Sequence, residues 1–330
     1  MLADRRRSMQ ADIALKEFTS HTDVFAEIFN LFIYGGNHVV QEHRLTAIPT
    51  EAVILDEKGD LHERRRDVVK TDQRGGYYHL LFDLEHQTGI DNTMPERVMG
   101  YDYSLYEHQI KKIMEWNRER KDPAIPERIH THQKLAPVLS IVLYWGDTEW
   151  TGPTCLHDML EFPPEMEDQL RAVIPNYSIH VVSMATLPEV MREKMTTDLR
   201  YLAEYAACRK DPKRWMDFIQ KDTGKIQHWE DCLTALSAIS GERKYRDVLE
   251  PIARKVKENR EEDVTMCLIY EEMTRKGREE GIQQGIQQGI SALVKISKKY
   301  KQSVEDTVCE IMAEFSLPRE EAEGYVKRYW

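Results

Sequence analysis

At 330 residues the chain can form one large domain or two modest ones, and its composition, 41% hydrophobic and 31% charged, is globular rather than fibrous or disordered. Against 46 basic residues stand 57 acidic ones, a formal charge of -11, so the field of the whole molecule repels nucleic acid and any DNA contact must be local. The five cysteines, Cys155, Cys208, Cys232, Cys267 and Cys309, are widely spaced, odd in number and lack a Cys-x-x-Cys pair, which argues against a disulfide framework or zinc cluster and fits a reducing compartment.

The N-terminus, MLADRRRSMQ, carries charge with no apolar segment behind it. The longest apolar run, LAPVLSIVLYW, is far short of a membrane span. A soluble cytoplasmic protein with no membrane partner is the expectation.

In KEFTSHTDVFAEIFNLFIYGG, Val24, Phe25, Ile28, Phe29, Phe32 and Ile33 recur at helical spacing, and Gly35 and Gly36 end the pattern. Strand-like segments follow in NHVVQEHRL and in EAVILDEKGDLHE, the latter with a turn at Lys58 to Asp60. ERRRDVVK and YYHLLFDLEHQ read as two further strands joined by the turn TDQRGG, which puts Asp67 and Glu85 on adjacent antiparallel strands. From Met94 the pattern is helical, with Val98, Tyr101, Leu105 and Ile110 on one face through about Trp116. LAPVLSIVLYW then has the near-continuous apolarity of a strand covered on both faces, and YSIHVVSM suggests another. This α-β-β-β-α-β order predicts an α/β fold, a mixed sheet flanked by helices.

Beyond about Leu187 the chain becomes helical and charged. The expected organisation is a sheet domain over 1–187, a helical region over 188–276 and a tail over 277–330. In the tail, Gly277, Gly281, Gly285 and Gly289 recur every four residues beside Ile282, Ile286 and Ile290, two stripes that drift slowly around a helix. A helical linker and a self-association segment fit this pattern equally well. The end of the chain reads as two short helices broken near Pro318.

LLFDLEHQTG carries the chemistry. Asp83, Glu85 and Gln87 alternate with apolar residues and so share one face of a strand, where carboxylates repel one another unless a cation neutralises them. With Asp67 facing this column, two carboxylates and the backbone carbonyl of His86 can surround a hard divalent ion of the Mg²⁺ type. Such an ion suits phosphodiester hydrolysis. Asp83 is expected either to bind a second ion or, more simply, to be solvated where the strand begins.

Ordinary roles account for the same residues. Asp67 can pair with Arg64, Arg65 or Arg66 on a surface strand, and Glu85 and Gln87 can mark the exposed side of an edge strand. Asp23 and Glu27 can be the solvated side of an amphipathic helix, and Arg97 with Tyr101 an ordinary i, i+4 pair. Alternation sends Arg65 alone of the three arginines to the Asp67 face. Trp145 and Trp150 read as packing anchors rather than base-stacking platforms.

Asp67 with Glu85-His86-Gln87 resembles the PD-(D/E)XK nuclease motif with Gln in place of the final Lys. The segments TDVFAEIFN, RRRDVV, LFDLEHQTGIDNTMPERVMGYDY and VLSIVLYWGDTEWTGP, with the GREEG tail, are similar in order and content to the bacterial Rpn family, the recombination-promoting nucleases also labelled putative transposases. The resemblance covers roughly residues 15 to 165 plus the tail. It implies a restriction-endonuclease-like sheet and a Mg²⁺-dependent DNA endonuclease, with Mn²⁺ able to substitute, acting in recombination or mobile-element transfer. Asp67 and Glu85 would bind the metal, Gln87 would stand in the lysine position, and Asp23 in the first helix would add an acidic ligand, with Glu27 as the reserve. Arg97 and Tyr101 match a pair used near DNA, and the C-terminal helices would allow homo-oligomers. Because Gln87 offers an amide dipole where a lysine offers a charge, the alternative is an inactive scaffold that binds protein or DNA.

Overall fold

The computed structural model describes residues 2–48, 68–74, 77–119, 129–130, 132–258 and 263–330, the side chains of 2–10, 73, 74 and 77–79 excepted. The chain divides into two compact units, Met1–Met266 and Cys267–Trp330. No described helix is long and apolar enough to cross a membrane.

The first unit opens with helices α1 (Leu2–Thr19) and α2 (Thr22–Phe32). The sequence pattern predicts one helix across this region; the structure breaks it at Ser20 and His21. The reason is local. Thr19 Oγ1 donates to the Leu15 carbonyl at 2.8 Å and Ser20 Oγ to the Glu17 carbonyl at 2.7 Å, so hydroxyls compete for the groups that would continue the helix. Gly35 and Gly36 follow α2 with φ of 64° and 96°, a left-handed path that a side chain would strain.

Five strands, β1 (Leu45–Ala47), β2 (Val68–Arg74), β3 (Tyr77–Gln87), β4 (Val138–Tyr144) and β5 (His180–Ser183), form one sheet in that order. β1, β2 and β3 are antiparallel neighbours, whereas β3, β4 and β5 run parallel. The sheet is therefore mixed, as predicted. Of the expected NHVVQEHRL strand only its last residue, Leu45, joins the sheet, with Thr46 and Ala47 beyond it; Glu42–Arg44 form a 3-10 turn and the Val40 backbone is already satisfied. The buried Asn30 amide accepts from Val40 N and donates to Val40 O, both at 2.8 Å, in place of a ladder partner. The expected strands within EAVILDEKGDLHE lie outside the described residues.

Helix α3 (Met94–Glu119) connects β3 to β4 and covers one face of the sheet. There Met94, Val98 and Leu105 pack with Val69, Leu81, Val142 and Tyr144 in two apolar clusters. The other face carries α2: Phe82 meets Phe29 at 4.7 Å and Phe25 at 6.2 Å between ring centroids, both edge-on. Burying each of these rings contributes about 1.5–3 kcal/mol. β4 lies between two strands with both faces covered, which is why Ile141 to Tyr144 can all be buried.

The rest of this unit is helical: α4 (Glu167–Val173), α5 (Glu189–Arg192), α6 (Leu199–Cys208), α7 (Pro212–Lys221), α8 (Trp229–Ser240), α9 (Lys244–Asp247) and α10 (Leu249–Glu258). α8 packs on α1, so the helices after Leu187 share one compact unit with the sheet.

The second unit consists of α11 (Met266–Lys299), whose first residue closes the preceding unit, α12 (Val304–Phe315) and α13 (Arg319–Tyr329). Ile290 and Val294 of α11 are buried against Val308, Ile311, Ala322 and Val326. The glycine stripe splits by environment. A Cβ on Gly289 would lie 3.0 Å from the Phe315 ring, whereas one on Gly277, Gly281 or Gly285 would meet nothing within 4 Å.

Candidate functional site

Strand β3 is flanked by β2 and β4, so it is interior to the sheet and its two rows of side chains lie under helices. Phe82, Leu84 and His86 point to the α1–α2 side; Leu81, Asp83, Glu85 and Gln87 point to the α3 side. Glu85 is 1% exposed and Asp83 fully buried. An exposed edge is thereby excluded for Glu85, and the expectation of a solvated Asp83 is overturned: its neighbours across the ladders are Val69 and Ser140.

Glu85 meets its cation from α3. Arg97 Nη2 stands 3.7 Å from Glu85 Oε2, Nη1 donates to Asp91 Oδ2 at 2.7 Å, and Nη2 donates to the Tyr101 hydroxyl at 3.1 Å. Burial opposes the charge on Arg97, but the bonds to Tyr101 and Asp91 and the field of Glu85 outweigh it, raising its pKa. Asp91 is held in turn by Thr93, whose backbone N–H and hydroxyl donate to Oδ1 at 2.8 and 2.7 Å. Burial pushes the Asp91 carboxyl up, yet the bonds from Thr93 and Arg97 prevail and hold it below the usual range. Arg97 and Tyr101 are thus more than neighbours on a helix: together with Asp91 they form a fixed cationic arm over Glu85. From α1, Asp12 lies within the field of Arg97, although burial dominates and raises its pKa.

Deeper on the same face, Asp102 accepts from Ser140 Oγ at 2.6 Å and from the Tyr177 hydroxyl. Burial and the adjacent Asp102 charge raise the Tyr177 pKa. The sequence reading missed Asp91, Asp102, Ser140 and Tyr177. The Asp91-Asn92-Thr93 triplet just before α3 was a legible helix-start signal; the other three carried none, because they meet across 38 and 75 residues.

On the opposite face His86 anchors the end of β3. Trp145 Nε1 donates to His86 Nδ1 at 3.1 Å, so the ring proton sits on Nε2 and is donated to Thr19 Oγ1 at 2.8 Å, which itself donates to the Leu15 carbonyl. Burial, reinforced by Lys16, pushes His86 down to about 3, so the ring is neutral. Trp145 N also donates to the Gln87 carbonyl at 2.8 Å. This chain ties β3, β4 and α1 together directly behind Glu85. Trp145 and Trp150 are both buried, as expected of packing anchors.

Asp23 is placed elsewhere. It sits on α2, on the far side of the sheet from Glu85, and pairs with His228 Nε2 at 2.9 and 3.0 Å. His228 stacks on His21 at 3.6 Å between centroids, and His21 Nε2 bonds to Asp231 at 2.7 Å. Glu27 likewise accepts from the backbone and hydroxyl groups of Thr196 and Thr197. Both acids fasten distant segments onto α2, and the expectation of Asp23 beside Glu85 as a metal ligand is not met. Their later partners, more than 160 residues away, could not be seen from the sequence.

Asp67 and Arg65 lie outside the described residues. In sequence Asp67 adjoins Val68, whose partner on β3 is Leu84, the residue adjoining Glu85. Among the described residues no group of three or more His, Cys, Asp or Glu side chains is arranged to hold a metal ion.

Comparison with curated proteins and with solved structures returned no match. A family described as "Putative transposase, YhgA-like" matches residues 58–230, just over half the chain, including β2 to β5, the Glu85–Arg97 arrangement and Tyr177. With that span and a helix-flanked mixed sheet in agreement, the chain belongs to the YhgA-like putative transposase family.

Proposed function

We propose that this protein is a metal-dependent DNA endonuclease that promotes recombination or mobile-element transfer. The observation that carries the reading is Glu85: a nearly inaccessible carboxylate on an interior strand, faced by Arg97, one residue past the strand partner of Val68. Asp67 and Glu85 would hold Mg²⁺, or Mn²⁺ in its place, with the His86 carbonyl as a further donor. An all-oxygen set suits a hard divalent cation, and the fit depends on Asp67, since the described residues alone do not complete it. When bound, the ion supplies a water of lowered pKa and polarises the phosphodiester.

The chain's own groups do the rest. Gln87, on the Glu85 face by alternation, orients the attacking water through its amide. Arg97 contributes the positive charge that the amide lacks, directed at the developing phosphorane, while Asp91 and Tyr101 keep the guanidinium in place. Arg65 would contact the adjoining backbone of the DNA, whereas Tyr101, expected from the sequence to lie near DNA, is buried and acts only through Arg97. Asp23, on the other face of the sheet, is left out of the ligand set.

Purified protein supplied with Mg²⁺ should nick plasmid DNA, and Asp67→Ala or Glu85→Ala should abolish nicking without altering the circular dichroism spectrum. Nicking retained by both variants would overturn the assignment. A non-catalytic DNA-binding or protein-binding scaffold is the second reading, favoured by one observation: Arg97 already neutralises Glu85 without a metal. A melting temperature insensitive to Mg²⁺ and Mn²⁺ would select the scaffold, because an ion bound only by the folded state must stabilise it.

A further inference from the structure

The chain is acidic overall, so a concentration of cations near the candidate site needs a reason. Arg209, Lys210, Lys213 and Arg214 fall within six residues at the corner between α6 and α7. Asp211 caps α7 by accepting from Arg214 N at 3.1 Å and Pro212 begins the helix, which fixes where α7 starts, with two cations on each side of that point.

This corner is fastened to the end of the sheet that carries Glu85. Arg209 Nη2 donates to the Trp145 carbonyl at 3.3 Å, its Nη1 donates to the Asp147 carboxylate, and Lys210 Nζ donates to the Asp147 carbonyl at 3.3 Å. Trp145 in turn donates to the Gln87 carbonyl. β3 and β4 are parallel, with Gln87 opposite Tyr144, so the loop clasped by Arg209 and Lys210 leaves the sheet at the same end as Gln87.

We infer that the α6–α7 corner is a docking tract for the phosphate backbone of duplex DNA beside the cleavage site. The inference rests on the nuclease reading for its choice of DNA. The carboxylates present do not forbid it. Arg209, 21% exposed, is engaged by the Asp147 carboxylate and the Trp145 carbonyl and holds the corner in place. Glu189 faces Arg214 at 3.7 Å with the two side chains 67% and 46% exposed, and such a solvated pair is worth about 0–1 kcal/mol, so phosphate can displace it. Among the described residues no carboxylate pairs with Lys210 or Lys213, and both are exposed. Asp211, the third acid of the corner, spends its acceptor on the α7 N-terminus.

The test is fluorescence anisotropy with a short labelled DNA duplex and the full chain, in EDTA so that nothing is cut, across a salt series. Each phosphate contact contributes about 0.9 to the slope of log affinity against log salt, so Lys210→Ala with Lys213→Ala should flatten the slope by about 1.8. Between about 50 and 200 mM salt the double variant should then lose about 12-fold less affinity than the wild type. The double Lys→Arg variant should restore the slope, and the alanine variant should melt as a single folded species only slightly below the wild type, since it gives up one exposed bond to the Asp147 carbonyl. An unaltered slope and affinity in the alanine variant, with a wild type that binds, would overturn the corner alone. A wild type that does not bind the duplex at low salt would remove the DNA reading beneath it. Tighter binding to an RNA of equal length, with the same slope change, would overturn the assignment to DNA.

Discussion

His86 offers the sharpest test of the geometry behind the site. Its ring is buried, accepts from Trp145 and donates to Thr19, and is held neutral with a pKa of about 3. In the unfolded chain the same ring titrates near 6.5. Below that value the unfolded state takes up a proton that the folded state refuses, so stability falls as the pH drops and levels off only near 3. At about 1.4 kcal/mol per pH unit, going from about pH 8 to pH 5 should cost about 2 kcal/mol through this one ring. His86→Phe removes the titration. It should also cost about 1–3 kcal/mol at every pH, because the Trp145 indole N–H loses its acceptor while Thr19 keeps Leu15. Urea unfolding of both proteins across this range should give curves that converge toward acid, and the nitrogen shifts of His86 should report the Nε2–H tautomer throughout. Parallel curves, or a ring that titrates near 6.5 in the folded protein, would refute the buried relay.

Tyr177→Phe should lower stability by about 1.5–3 kcal/mol, the worth of a hydrogen bond to a charged partner, since Asp102 would keep only Ser140 of the two donors named above; a change within about 0.5 kcal/mol would mean that water replaces the phenol. In the tail, Gly281→Ala should stabilise α11 by up to about 1 kcal/mol, because the new methyl meets open space. Gly289→Ala should gain less or lose, since the Phe315 ring must move. Calorimetry of the two variants checks the pair, and a loss at Gly281 accompanied by a smaller mass in light scattering would instead reveal a self-association face.

Strand β3 and helix α3 were legible because their patterns are local. The alternation of LLFDLEHQ and the helical spacing of Val98, Tyr101 and Leu105 each place side chains on a face without reference to the rest of the chain. Near-continuous apolarity likewise marked β4 as covered on both sides, and Pro318 separated α12 from α13. The α1–α2 break was missed because hydroxyl-to-carbonyl bonds at Thr19 and Ser20 outcompete a sound hydrophobic pattern. The brevity of β1 was missed because its would-be extension bonds to Asn30.

By itself, then, the sequence determined the common face of Glu85 and Gln87 and the helical pairing of Arg97 with Tyr101, since each depends on spacings of two to four residues, and, through the order of its elements, the mixed sheet. Only tertiary packing decided that Asp83 is buried, that Arg97 turns toward Glu85 with Asp91 as its brace, and that Asp23 is taken by a histidine 205 positions later. A carboxylate's role is set by the charge nearest to it in space, and chain spacing carries no record of that distance.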